Sequence, residues 1–178
     1  MNKLIAFMIA SGLLIGCAGT ASKPVEPTNP TAEQPKKAED GRIDAKDYAI
    51  GEKVTSDKLT FTVNKVETAD TIKGKKSEGK FVVINATVLN EDKESRMISN
   101  SIFELNDDKG RKFTTTDDIT VAFGVGDTLI KELNPGLTKT GYIVFEVPKD
   151  ATKLKLKVRS GVLLAGDKYQ IIDLGEVK

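Results

Sequence analysis

The chain reads as all-β, an antiparallel β-sandwich preceded by a signal segment and a tether. Three observations carry that reading. Apolar residues recur with period two in Leu59–Val63, Lys80–Asn90 and Lys153–Arg159. Turn residues interrupt these runs at spacings of roughly 8–12 residues. No stretch of the domain sustains the 3.6-residue period of a long amphipathic helix.

The chain begins Met1-Asn2-Lys3, then an apolar run Leu4–Ala10, then Ser11-Gly12-Leu13-Leu14-Ile15-Gly16-Cys17. A basic start, a short apolar core and a small residue at the end are the parts of a secretory signal. The run is too short for a bilayer span, which needs about 20 residues. Leu14-Ile15-Gly16-Cys17 ends in the only cysteine of the chain and resembles the bacterial lipobox. That resemblance implies thioether-linked diacylglycerol on Cys17, cleavage between Gly16 and Cys17, and an optional N-acyl chain. Two acyl chains anchor stably, because each buried methylene contributes roughly 0.8 kcal/mol and one chain alone is marginal. The lipid on Cys17 is the only non-protein group expected. The protein is therefore placed on a membrane, facing out of the cytoplasm.

Residues 17–45 are expected to be a disordered tether. Pro24, Pro27, Pro30 and Pro35 are four of the six prolines, set among Thr, Ser, Glu, Lys and Ala. Apolar residues are too few there to bury, and proline removes backbone donors. Fully extended at ~3.1 Å per residue, the tether reaches on the order of 80 Å.

The folded domain is expected over 46–178. Lys53-Val54-Thr55 reads as a short strand and Leu59–Val63 as a half-buried one, with a bulge near Asn64-Lys65 where the apolar phase slips to Val66. Asp70–Gly79 reads as a polar loop. Lys80–Asn90 is the central strand, with Val82, Ile84, Ala86 and Val88 on one face and Phe81, Val83, Asn85, Thr87 and Leu89 on the other. Short strands follow at Arg96–Ser99, Ile102–Leu105 and Arg111–Thr115. Residues 116–128 read as irregular: Asp117-Asp118 can start one helical turn, but Gly124 and Gly126 favour a loop. Leu129–Leu133 is a brief strand, Asn134-Pro135-Gly136 a turn set by proline and glycine, and Thr138–Val147 the second long strand. Lys153–Arg159, Val162-Leu163-Leu164 and Tyr169–Leu174 complete the set.

Gly79–Asn90, and Leu133–Gly136 continuing to Gly141–Pro148, together with Gly51–Val63, resemble a large family of bacterial secreted and lipid-anchored proteins. That family carries an immunoglobulin-like domain of unknown function, related in fold to a mycobacterial secreted immunogenic antigen. The resemblance covers Tyr48 to the C-terminus and implies an immunoglobulin-like sandwich on the outer side of the membrane, most often in Gram-positive bacteria. It brings no catalytic residues. With no tryptophan and no pair of cysteines, the antibody-type core is absent and the domain stands on its hydrophobic core alone.

Composition narrows the chemistry. With no histidine, Ser-His-Asp and Cys-His systems and every histidine-containing metal site are excluded. Removing Lys3 with the signal leaves 26 basic and 26 acidic residues, which argues against nucleic-acid binding. Gly124-Val125-Gly126 lacks the third glycine and preceding strand of a dinucleotide fingerprint. Asp107-Asp108, Asp117-Asp118 and Asp127 are the remaining oxygen donors for an ion, but they do not follow the calcium-loop pattern and read as solvated turns. Lys153, Lys155, Lys157 and Arg159 share one face of a strand and form a candidate binding stripe for an anionic wall polymer or acidic partner, against the reading of a solvated sheet face. Tyr142 and Tyr169 read as rim or core packing. The leading expectation is a non-enzymatic module that binds an envelope protein or polymer. A small-ligand or metal-binding module comes second, and a carboxylate hydrolase last.

Overall fold

The computed structural model describes residues 41–116, 128–161 and 168–177. In chain order the strands are β1 (Val54–Ser56), β2 (Leu59–Ile72), β3 (Lys75–Asn90), β4 (Arg96–Ile98), β5 (Phe103–Asn106), β6 (Lys112–Phe113), β7 (Lys131–Leu133), β8 (Thr138–Val147), β9 (Leu154–Arg159) and β10 (Tyr169–Gly175). One 3-10 turn, Asn100–Ile102, precedes β5. Two four-stranded sheets, ordered β1-β2-β3-β8 and β10-β9-β5-β6, form the all-β antiparallel sandwich, and β4 pairs with β7 beside them.

The central strand behaves as its alternation requires. Val82, Ile84, Ala86 and Val88 of β3 are buried, and join Phe61 and Val63 of β2 and Ile143 and Phe145 of β8. These meet Phe103, Leu105, Leu154, Leu156, Val158 and Ile172 of the second sheet. Phe61 and Phe103 meet edge to face across the sandwich, with ring centroids 5.9 Å apart. Burying each large apolar side chain favours the fold by about 1.5–3 kcal/mol before the entropy cost is counted.

The outer face of β3 is not uniformly wet. Phe81 and Val83 form a second apolar cluster with Ile72 and Val144, flanked by Ala69 and Tyr142. This cluster shapes the β2–β3 hairpin, where the expected Asp70–Gly79 loop is replaced by paired strand. Only Lys73-Gly74 connects the strands, with φ of 43° and 82°, the two positive values of a type I′ turn. The sequence hides this extension because most of its side chains face water on both sides, so no alternation marks it.

Two irregularities bend the hairpin. The expected bulge at Asn64 is present, and its side-chain amide donates to Asn85 Oδ1 (2.9 Å) and Thr87 Oγ1 (3.0 Å) of β3. Further on, Ala69 faces Phe81 while Thr71 already faces Lys76, so Ser77–Lys80 bulge out opposite Asp70. The Glu146 carboxylate of β8 accepts from the Ser77 hydroxyl (2.6 Å) and the Glu78 N–H (2.9 Å). A Cβ on Gly79 would lie 2.0 Å from the Val147 carbonyl oxygen, so only glycine fits.

Other bounds shift slightly. β1 starts at Val54 and β4 ends at Ile98. The 3-10 turn takes Ile102, so β5 begins at Phe103. Of Arg111–Thr115 only Lys112–Phe113 is strand, with Thr115 bridging across to Phe145, and β7 begins at Lys131. The Asn134-Pro135-Gly136 turn closes with the Leu137 N–H donating to the Asn134 carbonyl (3.2 Å), Gly136 at φ 71°. Fully buried Asn90 pins it, its amide donating to the Leu133 carbonyl (2.8 Å). The signal segment, the tether up to residue 40, the expectations for 117–127 and the short strand at Val162-Leu163-Leu164 lie outside the described residues.

Because the atoms facing the missing Cβ are backbone, Gly79→Ala forces the sheet itself to move. Equilibrium urea unfolding is expected to show a loss of about 1–3 kcal/mol.

Candidate functional site

Ahead of β1 the chain runs beside β10, and the paired region begins before Lys46. Ile43 N–H donates to the Tyr169 carbonyl (3.0 Å) and Tyr169 N–H to that of Gly41 (2.9 Å). Further along, Tyr48 N–H reaches the Ile171 carbonyl (2.9 Å) and Asp173 N–H that of Tyr48 (2.7 Å). Residues 41–45, assigned by composition to the tether, are thus a strap on the second sheet. Backbone groups make this pairing, which is why apolar counting does not detect it.

The strap's side chains lock it down. Tyr48 donates its hydroxyl to Asp44 Oδ2 (2.5 Å), and the buried Gln170 amide donates to the same oxygen (2.6 Å) while its carbonyl accepts from the Asp44 N–H (3.3 Å). Those bonds from Tyr48 and Gln170 hold the Asp44 carboxyl below its ordinary value. Asp47 lies between Arg42, which donates to Oδ1, and Lys155, which donates to Oδ2 at 2.6 Å. Burial pushes the Asp47 pKa up, but the bonds from Lys155 and Arg42 outweigh it and the net shift is downward.

Lys155 belongs to the candidate stripe. Lys155, Lys157 and Arg159 do share the outer face of β9, as alternation predicts, while Lys153 precedes the strand at φ 47°. Each has a partner inside the domain. Arg159 pairs with Glu104 of β5 at 3.0 Å, Lys157 Nζ sits 3.6 Å from the centroid of the Tyr169 ring, and Lys153 Nζ is 3.9 Å from Asp108. At Glu104 burial raises the carboxyl and Arg159 lowers it further, so the net direction is down. The face holds cations and their counter-charges together, which weakens its outward field. Tyr169 is buried and forms part of this face; Tyr142 is half-buried at the edge of the second apolar cluster.

The acidic pairs divide. The Asp107 side chain is fully buried and organises the β5–β6 turn: Oδ1 accepts from the Lys109 (3.0 Å) and Arg111 (2.9 Å) N–H groups, and Oδ2 from Arg111 Nε (2.7 Å). Arg111 and Lys109 also reach Asp150. Asp107 is therefore a turn-fixing residue rather than the solvated one expected, while Asp108 accepts from the Thr152 hydroxyl at 3.3 Å. Among the described residues, no group of three or more acidic or cysteine side chains is placed to hold a metal ion. Asp117-Asp118, Gly124-Val125-Gly126, Asp127, Gly16 and Cys17 lie outside those residues.

Hollows mark the surface formed by the described residues. One of about 250 Å³ has Ile98, Leu129 and Leu133 at its apolar side, exposed Leu137, and Lys131 and Lys139 on its rim. It falls below the 300–1,000 Å³ of most small-molecule sites. Another, about 530 Å³, is an open hollow beside the strap lined by Gly41, Arg42, Ile43, Thr55, Asp57 and Lys168.

With this geometry in place, comparison with known proteins gives consistent results. The profile of a family described as a domain of unknown function, DUF4352, matches residues 48–169. The uncharacterised protein YxkC of Bacillus subtilis is 31% identical over 118 residues; the match covers 60% of this chain and 66% of YxkC. Among solved structures, the yjhA protein of Bacillus subtilis superposes with a TM-score of 0.57 at 20% identity, over 71% of this chain and 98% of that one. The Bacillus subtilis protein ycdA, provisionally described as a lipoprotein, gives 0.57 at 17% identity, over 70% of this chain and 38% of that one. At these identities the structural likeness shows the fold.

The strap is expected to depend on Asp47. Asp47→Asn should lower stability by about 1–2 kcal/mol at neutral pH, a value discounted for partial exposure. The folded pKa lies below the unfolded 3.8, so the contribution is complete well above 3.8 and is lost as pH falls through the folded value. Thermal melts across pH 2–7 should show the two proteins converging at the acid end.

Proposed function

Because the chain belongs to the DUF4352 family, a domain of unknown function matched over residues 48–169, we propose that it is a lipid-anchored extracytoplasmic module that binds another envelope component and catalyses no reaction. The observation that carries this reading is Leu14-Ile15-Gly16-Cys17, the only cysteine in the chain placed directly after a basic start and a short apolar run. Diacylglycerol on the Cys17 thiol would hold the chain at the outer membrane surface. Among the described residues, no helix is long and apolar enough to cross a membrane.

The fold is compatible with an interaction role. A disulfide-free sandwich whose exposed faces carry charged residues on rigid strands presents side chains at fixed spacing without chemistry at its centre. The strap places the start of the described fold on the edge of the second sheet, so upstream residues join the domain at one defined point. The likeness in fold to ycdA, itself provisionally described as a lipoprotein, fits the same reading.

Metabolic labelling with a fatty-acid analogue tests it. The intact chain should become labelled and fractionate with membranes, while Cys17→Ser should lose the label and accumulate as unprocessed precursor. A Cys17→Ser protein that remains labelled would contradict the proposal.

A further inference from the structure

The strap and the sandwich are held by different forces. Among residues 41–48 only Tyr48 packs against the main core, and Ile43, the other large apolar side chain there, is 43% exposed. Backbone bonds fasten the strap to β10: Ile43 and Tyr48 donate to the Tyr169 and Ile171 carbonyls, and Tyr169 and Asp173 donate to those of Gly41 and Tyr48. The sandwich instead closes over buried Val82, Ile84, Phe103 and Leu156. A segment with little apolar burial opens at lower free energy than the core it lies on.

Between the two ends of this pairing the strap takes a longer path than β10. Arg42 pairs with Tyr169 and Tyr48 with Ile172, so the strap holds three residues more than the stretch it spans. The excess contains Asp44 and Asp47. Asp44 accepts from the Tyr48 hydroxyl and the Gln170 amide, with Lys46 and Arg42 close by. Asp47 accepts from Arg42 and, across the seam, from Lys155 of β9. Lys46 also reaches Glu52 at 3.5 Å, and Asp173 of β10 lies opposite Lys155. Among the described residues, the side-chain bonds from strap to second sheet run through these two carboxylates.

Immediately downstream the chain is fixed again. Glu52 N–H donates to the Ala49 carbonyl (3.1 Å), and Gly51 N–H donates to the Val63 carbonyl of β2 (2.9 Å) with Gly51 at φ 89°. The turn after Tyr48 therefore belongs to the first sheet, which gives the strap a boundary at which to swing.

We propose that residues 41–48 are an acid-released latch: neutralising Asp44 and Asp47 frees the strap from β10 while the sandwich stays folded. Release bares the outer edge of β10 and frees the Lys155 ammonium. The backbone groups of Tyr169, Ile171 and Asp173 that met the strap then lose their partners, leaving an edge of the kind that accepts an added strand. The latch goes beyond the proposed binding role and does not depend on it or on the Cys17 anchor. Its pH sense follows from the two carboxyls. Bonds from Tyr48 and Gln170 hold Asp44 below its ordinary value; at Asp47 burial pushes upward, and the bonds from Lys155 and Arg42 outweigh it. Their contribution is complete at neutral pH and is lost as pH falls through the folded values, below the ordinary 3.8.

Amide hydrogen exchange on the full chain carrying Cys17→Ser, in non-ionic detergent, tests the latch. Protection factors are compared at the seam (Ile43, Tyr48, Tyr169 and Asp173) and in the core (Ile84 and Ile143). Asp44→Ala/Asp47→Ala at pH 7 should lower seam protection about tenfold or more and leave core protection as in the parent. In the parent, acidification from pH 6 to pH 3 should release the seam before the core. That titration uses no variant at the latch, so it decides even where the double substitution unfolds the chain. Equal losses at seam and core, seam protection unchanged in the double variant, or seam and core released together by acid would overturn the inference.

Discussion

The domain depends on β3 being buried on both faces at Phe81–Ile84 while nothing covalent holds the sheets together. Its inner row, Val82, Ile84, Ala86 and Val88, closes the sandwich core, and its outer Phe81 and Val83 need a cover of their own. Ile72 contributes to that cover, which requires the hairpin to continue past Ala69 and bend. The bend in turn demands the Ser77–Lys80 bulge, and the bulge brings Gly79 against Val147 so closely that no side chain is tolerated. One packing requirement thus propagates into the shape of the β2–β3 hairpin.

Charge placement follows a second logic. Nearly equal numbers of basic and acidic residues do not make the surface uniform. On β9 each outward cation has an acidic or aromatic neighbour, and Asp47 uses one of them, Lys155, to hold the strap down. At the tip of the β2–β3 hairpin the cations have no ion-pair partner among the described residues.

The long strands were legible because one face of each carries an unbroken apolar row, Val82, Ile84, Ala86 and Val88 in β3 and Ile143, Phe145 and Val147 in β8, and the slip at Asn64 shows as a change of phase. Four features were not. The hairpin extension Asp70–Gly79 is mostly wet on both faces, so polarity there resembles a loop. The strap at 41–45 pairs through backbone groups, to which side-chain patterns are blind. The third is the state of the β9 cations: alternation put Lys155, Lys157 and Arg159 on one face, but their partners Asp47 and Glu104 lie 108 and 55 residues from Lys155 and Arg159 in the chain. Asp107, adjacent to another acid in a Gly-containing turn, looked solvated because sequence does not reveal that Arg111 and two N–H groups fold around it.

The central claim is that the stretch Phe81–Ile84 of β3, buried on both faces, holds the domain together. The most direct measurement is amide hydrogen exchange followed residue by residue. Slowest exchange at Phe81–Ile84 and at the facing Ile143–Glu146 of β8, opening only with global unfolding, is the predicted result. Faster exchange there than in β9 and β10 would contradict it.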